Sequence, residues 1–402
     1  MATSGYIKGM LTRDLKIIFA SIFALGFGYG LYFYLAPIFA SQIGATPVQV
    51  GLIYTTFYLV SGIVAIPGGL LADRYNLHYV IAFTWVFIVP AGFLYFIATS
   101  WETLLVANIF AGISMMNSPA VAVYISKKSS HERLARSYTL VYSSFAAGMV
   151  LSPAIGGFLA DAFNIRLPFL IATVLFIISS ILIFFISKEE PATAKGEGKL
   201  LTIIRNVRFI ETVLYFALIF FIVYISQPFL TLFLTEVRGF SFNQIGILGA
   251  ANSLGAALIG PFMGHVADVY SRRAALTGAL IFIFIGAVIF LNFSVFIAAL
   301  IAFVFFGVVE GFYSLSGALV TKMLKDLPTG LGFGVFRAFT NAFAFIGPLV
   351  GGFLFDVNKA LPFFISGVSA LILIIATLTA PFLRGKGLSY IKSITKRQRP
   401  PK

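Results

Sequence analysis

The sequence predicts an all-α membrane protein, with twelve transmembrane helices arranged as two six-helix halves. Three observations carry this expectation. Of 402 residues, 59% are hydrophobic and only 10% are charged, and a soluble chain of this length has no core large enough to hide that apolar surface. Apolar runs of about 20 residues, the length that crosses a hydrocarbon core of roughly 30 Å, recur twelve times. The chain also matches itself when shifted by 195 residues.

The runs lie at 15–38, 48–70, 79–98, 102–125, 138–160, 166–187, 210–234, 243–265, 273–292, 295–322, 332–355 and 361–383. The first follows Lys8 and Arg13 with no small-residue cleavage site, so it is expected to remain in the protein. Several connections are only two to five residues long and force antiparallel hairpins. The runs lack the alternation of a membrane β-barrel. Pro37, Pro67, Pro119, Pro228 and Pro261 fall inside or at the ends of runs, where neighbouring helices can satisfy the freed backbone groups. A Lys-, Glu- and Gly-rich stretch divides the chain into a first half, 1–187, a linker, 188–209, a second half, 210–383, and a basic tail, 384–402.

The formal net charge of +14 would suggest nucleic acid in a soluble protein; its distribution here excludes that reading. Of 28 Lys and Arg residues, 24 lie in the N-terminus, the even-numbered connections and the tail. Arg166, Arg238 and Lys359 lie in odd-numbered connections, and Arg337 lies within a run. The positive-inside rule then places both termini in the cytoplasm of a cell-membrane protein. The tail is a solvated topology determinant, with contact to anionic lipid headgroups as its other reading. No cysteine is present and there are three histidines without an HExxH pattern, so neither a metal nor another cofactor is expected.

The 195-residue shift lays Gly69-Leu-Leu-Ala-Asp73 on Gly264-His-Val-Ala-Asp268, and Gln49-Val-Gly51 on Gln244-Ile-Gly246. It also lays Pro153, Gly156, Gly157 and Asp161 on Pro348, Gly351, Gly352 and Asp356. Because an even number of spans separates the copies, both halves share one orientation. These residues resemble the major facilitator superfamily over the whole chain, in particular its drug/proton antiporter-like branch. The family's loop signature is matched by Gly69, Asp73 and Arg74, then lapses at Asn76, Leu77 and His78; the second copy keeps Gly264 and Asp268 and restores the basic pair as Arg272 and Arg273. The resemblance implies a cytoplasmic gate that latches the halves in the outward-open state, with Asp73 and Asp268 receiving helix N-terminal N–H groups; solvated loop charges are the alternative. Gly148, Pro153, Gly156 and Gly157, repeated as Gly347, Pro348, Gly351 and Gly352, resemble the family's antiporter-associated motif. Close helix packing alone also accounts for them.

Glu310 stands near the middle of the tenth run, where an ionisable group costs about 2.5–3.5 kcal/mol on insertion scales and is a functional-site hypothesis by default. A structurally buried, protonated acid is the alternative. Tyr313, Ser314 and Gly317 continue its helical face, which the resemblance turns toward a central cavity. Arg337, with Asn341 one turn deeper, either pairs or binds substrate in that cavity or snorkels to the headgroups. The shift equates Glu310 with Met115 and Arg337 with Tyr142, so charge is confined to the second half. Tyr29, Tyr32, Tyr34, Asn108, Ser114 and Asn117 offer uncharged polar groups in the first half, and Gln227 and Asn252 join them from the second. Asn108 replaces the arginine that begins the family's helix 4 pattern.

The leading expectation is a monomeric secondary transporter working by alternating access, in which Glu310 couples protons to export of hydrophobic or cationic compounds. A proton symporter or facilitator for a sugar, carboxylate or other metabolite is one alternative, and a non-transporting sensor is another. No embedded Ser/His pair, second buried acid or metal cluster supports an enzyme, and no phosphate-binding loop supports ATP coupling.

Overall fold

Twelve apolar helices are found among the described residues of the computed structural model, which are 12–129, 134–191, 205–312, 315–316 and 329–379. They are α1 (Arg13–Phe33, resuming as Ala36–Gln42), α2 (Pro47–Arg74), α3 (Leu77–Ile97), α4 (Trp101–Lys128), α5 (Leu134–Ala162) and α6 (Leu167–Ile183). The second set is α7 (Phe209–Arg238), α8 (Phe242–Val269), α9 (Arg272–Asn292), α10 (Phe296–Phe312), α11 (Thr329–Ala344, resuming as Ile346–Val357) and α12 (Leu361–Thr379). Among the described residues, ten spans are long and apolar enough to cross a membrane, and α6 and α10 are shorter apolar helices. The basic tail, 384–402, and most of the linker expected at 188–209 lie outside the described residues.

Each half packs as its own bundle. In the first, α1 lies against α5 and α6, and α2 against α4; in the second, α7 lies against α11 and α12, and α9 against α12. Two cross-pairs dominate the join between the halves: α5 with α8, and α2 with α11. We call the end that carries Arg13 and Thr379 the near end, and the end where α2 and α8 begin the far end.

The repeated Gln49 and Gln244 have a local cause. Thr46 and Ser241 are N-caps whose hydroxyls accept from the Gln49 and Gln244 N–H groups at 3.3 Å, while the two glutamine side chains accept from the cap N–H groups at 2.8 and 3.0 Å. These reciprocal capping boxes start α2 and α8 in the same register, at the far end.

Most helix breaks precede a proline. The ring clashes with the carbonyl four residues earlier, and the chain accordingly breaks at Tyr34–Leu35 before Pro37, at Val86–Phe87 before Pro90, at Gln227 before Pro228 and at Phe345 before Pro348. Pro119 is preceded by a tight turn at Met115–Asn117. The break at Gly307–Val308 has no proline.

An unforeseen polar cluster closes the near end of the first half. Asp14, buried at the start of α1, accepts from the Tyr124 hydroxyl at 3.0 Å and the Ser187 hydroxyl at 3.2 Å, and pairs with Lys128 at 3.3 Å. Lys128 also pairs with Glu189 at 2.8 Å, so the chain leaving α6 is tied to α1 and α4. Asp14→Ala leaves the buried Tyr124 hydroxyl and Lys128 short of a partner, and is expected to cost about 1–3 kcal/mol. A lowered apparent melting temperature in detergent checks this, against a near-neutral Lys127→Ala, whose ammonium makes only exposed contacts to linker carbonyls.

Candidate substrate cavity

The glycine motif positions the helices that form the cavity. A Cβ on Gly156 would overlap the Leu31 carbonyl of α1, and one on Gly351 the Ile225 carbonyl of α7. Gly148 and Gly347 face the same two helices, with Cβ positions 2.6 Å from Phe23 O and 2.8 Å from Phe221 O. The next residues in the motif do something different, because they meet the opposite half. A Cβ on Gly157 would overlap the Phe242 carbonyl of α8, and one on Gly352 would sit 2.6 Å from the Pro47 carbonyl of α2. Gly51 lies on Pro348 and Gly246 lies on Pro153 in the same backbone contact. The far-end seam is thus built from one pair of contacts used twice, exchanged by the 195-residue shift.

Polar bonds add to this seam. Asp161 of α5 accepts from the first two N–H groups of α8, Phe242 at 3.1 Å and Asn243 at 2.7 Å, a carboxylate on a helix N-terminus. Glu236 accepts from Ser41 of the other half at 3.0 Å and pairs with Lys359 at 2.7 Å. At the near end, a Cβ on Gly69 or Gly264 would meet open space, and neither Asp73 nor Arg74 makes a hydrogen bond or ion pair among the described residues. Arg272 opens α9 beside Arg273, behind the Ser271 cap. The Asp268 side chain, and the chain at 317–328 leading into α11, lie outside the described residues. The arrangement expected of Asp73 therefore occurs in this structure at the opposite end, with Asp161.

Between the halves lies a cavity with about 870 Å³ of empty space, its open mouth included, lined by residues of α1, α2, α7, α8, α9, α10 and α12. Its walls are mostly apolar and aromatic, with Phe33, Tyr34 and Tyr54 from the first half and Phe303, Phe306 and Phe363 from the second. Glu310 lines it from the turn of α10 that follows the Gly307–Val308 break. There is no room for a side chain at 307, where a Cβ would overlap the Asn252 carbonyl of α8. The Glu310 side chain is exposed to the opening and has no hydrogen bond or ion pair among the described residues. Arg337 is also exposed and lies within electrostatic reach of both Glu310 and Tyr142, without an ion pair to the former.

Gln227 and Asn252 line the same cavity. Asn252 is held on both sides: its amide donates to the Phe303 carbonyl at 3.0 Å and its oxygen accepts from the Tyr34 hydroxyl at 3.0 Å, across the halves. Asn341 bridges the halves elsewhere, donating to the Ser61 hydroxyl at 3.1 Å. Five residues expected in the cavity, Tyr32, Asn108, Asn117, Arg337 and Asn341, are not among those lining it. Tyr32 is buried among Tyr95, Phe169 and Phe176 inside the first half, because residues two apart on a helix face nearly opposite ways and Tyr34 takes the cavity side. Asn108 donates to the Tyr95 hydroxyl at 2.8 Å and to the Leu104 carbonyl at 2.9 Å, which makes it an interior packing residue. Asn117 sits half-buried in the tight turn of α4, outside the cavity lining. The side chains of Tyr313 and Ser314 lie outside the described residues. Tyr54, Thr231 and Ser366 line the cavity with no sequence signal to distinguish them from other polar residues in the spans.

The family model described as Major Facilitator Superfamily matches residues 18–242 and again 212–400. The chain belongs to this superfamily. It is 26% identical over 369 residues to the MFS-type transporter MJ1560 of Methanocaldococcus jannaschii, spanning 87% of this chain and 93% of that one. It is 24% identical over 374 residues to the quinolone resistance protein NorA of Staphylococcus aureus strain Mu50, spanning 89% and 94%. Among solved structures, the nucleoside transporter NupG superposes with a TM-score of 0.71 at 12% identity, covering 93% of this chain and 100% of that one. The human organic anion transporter MFSD10 superposes with a TM-score of 0.66 at 16% identity, covering 91% and 99%. The protein is a multi-pass membrane transporter and not an enzyme. The resemblance to the drug/proton antiporter-like branch holds at the level of sequence relatives.

Proposed function

We propose that this superfamily member exports hydrophobic or cationic compounds from the cytoplasm across the cell membrane in exchange for protons, as a monomer, with Glu310 binding proton and substrate by turns. The observation that carries this is a mid-span carboxylate, without an ion pair among the described residues, on the wall of an aromatic cavity. Closing the cavity over a bare carboxylate costs several kcal/mol. Closure is cheap only when the charge is cancelled, either by a proton on the carboxyl or by a substrate cation beside it. The two closed forms bind one ligand each, which makes the traffic an exchange. The charge asymmetry of the loops supports cytoplasmic termini, and on that reading the far-end seam is the extracellular one and the near end the cytoplasmic one. The 24% identity to a quinolone resistance protein agrees with this direction of transport.

The exposed Arg337 favours a second reading, an importer in which the guanidinium receives an anionic metabolite. Proteoliposomes with an acidic interior separate the two. Under the first reading, lipophilic cations added outside accumulate and protons leave in exchange, while carboxylates and sugars do neither; under the second, carboxylates move with protons and cations do not.

A further inference from the structure

We propose that a recess inside the second half selects substrates by the group at the end remote from their charge, with Thr231 as its hydrogen-bonding residue. This rests on the reading that Glu310 holds the charged end. From α9, α10 and α12 the cavity is lined by Ile283, Ala287, Phe306 and Phe363, side by side with the α7 residues Val223 and Leu230. These side chains are apolar and all belong to the second half, and we call the part of the cavity they line the recess.

Thr231 lines the same cavity from α7. Its side chain is 97% buried, since its relative exposure is 3%, and its hydroxyl has no hydrogen-bond partner. Ser129, Ser152 and Thr277 share this state, but of the four only Thr231 lines the cavity. Thr84, Thr173, Thr235 and Thr340 all return their hydroxyls to the carbonyl four residues earlier, at 2.7–3.0 Å. The corresponding carbonyl for Thr231 is that of Gln227, which lies in the break before Pro228 and accepts instead from the Leu230 N–H, three residues on, at 3.4 Å. The neighbouring hydroxyls are occupied: Ser226 bonds to Ser366 at 3.3 Å, and Ser366 donates to the Ile222 carbonyl at 3.0 Å. A buried hydroxyl that neither helix nor neighbours satisfy, in the lining of a mostly apolar cavity, fits an elongated amine whose remote end carries a carbonyl, amide or hydroxyl. A remote methyl group leaves the hydroxyl unsatisfied.

Two N,N-dimethylalkylamines of equal length, one ending in methyl and one in a primary amide, serve as probes of equilibrium binding to the purified protein. Wild type is expected to prefer the amide-ended amine. Thr231→Val, which keeps the shape and removes only the unpaired hydroxyl, is expected to weaken that amine about tenfold. It leaves the methyl-ended one within about twofold, with an unchanged or raised melting temperature. Ala287→Phe fills the recess and weakens both. An unchanged amide-to-methyl ratio in Thr231→Val overturns the recess, even where Glu310→Gln abolishes binding of both amines. If Glu310→Gln changes neither affinity, the charge-pairing reading falls, while the Thr231 ratio still reports on the recess. Failure of both amines to bind wild type overturns both.

Discussion

Glu310→Gln is expected to reduce proton-coupled exchange to the rate of protein-free liposomes. Gln keeps the size and hydrogen-bonding capacity of the carboxyl but neither gains nor loses a proton. It also removes the charge that meets a substrate cation, and a hydrogen bond to a charged group contributes about 1.5–3 kcal/mol, so cation affinity should fall by about 10- to 150-fold. Wild type should bind a lipophilic cation more weakly as the pH falls, because protons compete for the carboxylate; the Gln variant should show a flat pH profile. Glu310→Asp keeps the charge and withdraws it by about one carbon–carbon bond. It is expected to keep the pH dependence while slowing exchange about 10- to 100-fold, the usual consequence of misplacing a reacting group by an ångström. Undiminished, pH-dependent exchange by Glu310→Gln would remove the residue from the mechanism. The assignment is tied to the Gly307–Val308 break, since that break sets where the turn of α10 that follows it delivers residue 310.

The twelve spans were legible because lipid as solvent turns a span into an uninterrupted apolar run, and the 195-residue repeat tied the two sets together. The cavity was legible only in part, for geometric reasons. Glu310, Gln227 and Asn252 were found because polar residues in mid-span are few and each must face protein or water. Tyr32 and Tyr34 differ only in helical rotation and in the break that starts at Tyr34, and run length carries neither. Asn108 is polar and mid-span like Asn252, but its partner is the Tyr95 hydroxyl, thirteen residues earlier and not identifiable from the chain alone. Asp161 was seen as part of the repeat, yet its role depends on two backbone N–H groups 81 and 82 residues further on, and any residue type except proline would supply them. Its counterpart Asp356 matches Pro47 and Val48 instead, and Pro47 has no N–H to offer. The symmetry of the sequence therefore does not extend to this bond.

The adjacent glycines 156 and 157 should fail in opposite ways when each is replaced by Val. Gly156 packs on the Leu31 carbonyl inside one half, so a side chain there forces α1 and α5 apart in every conformation. The expected result is a loss of stability of about 1–3 kcal/mol or more, read as lower folded yield and melting temperature, with no preference between open states. Gly157 packs on α8 of the other half, a contact made only while the far end is closed. Gly157→Val leaves each bundle intact and penalises one conformation. An overpacking cost of about 1–3 kcal/mol placed on the closed far end shifts the equilibrium by about 5- to 150-fold. The chain contains no cysteine, so a single Phe33→Cys in the cavity wall carries the only thiol. Labelling by a membrane-impermeant maleimide added at the far side should accelerate about 10- to 100-fold in Gly157→Val, while labelling from the near side slows. Asp161→Asn, which removes a charge from the α8 N-terminus without adding bulk, should move both rates the same way by only a few-fold. Unaltered far-side labelling in Gly157→Val would mean that this seam is not what separates the two open states.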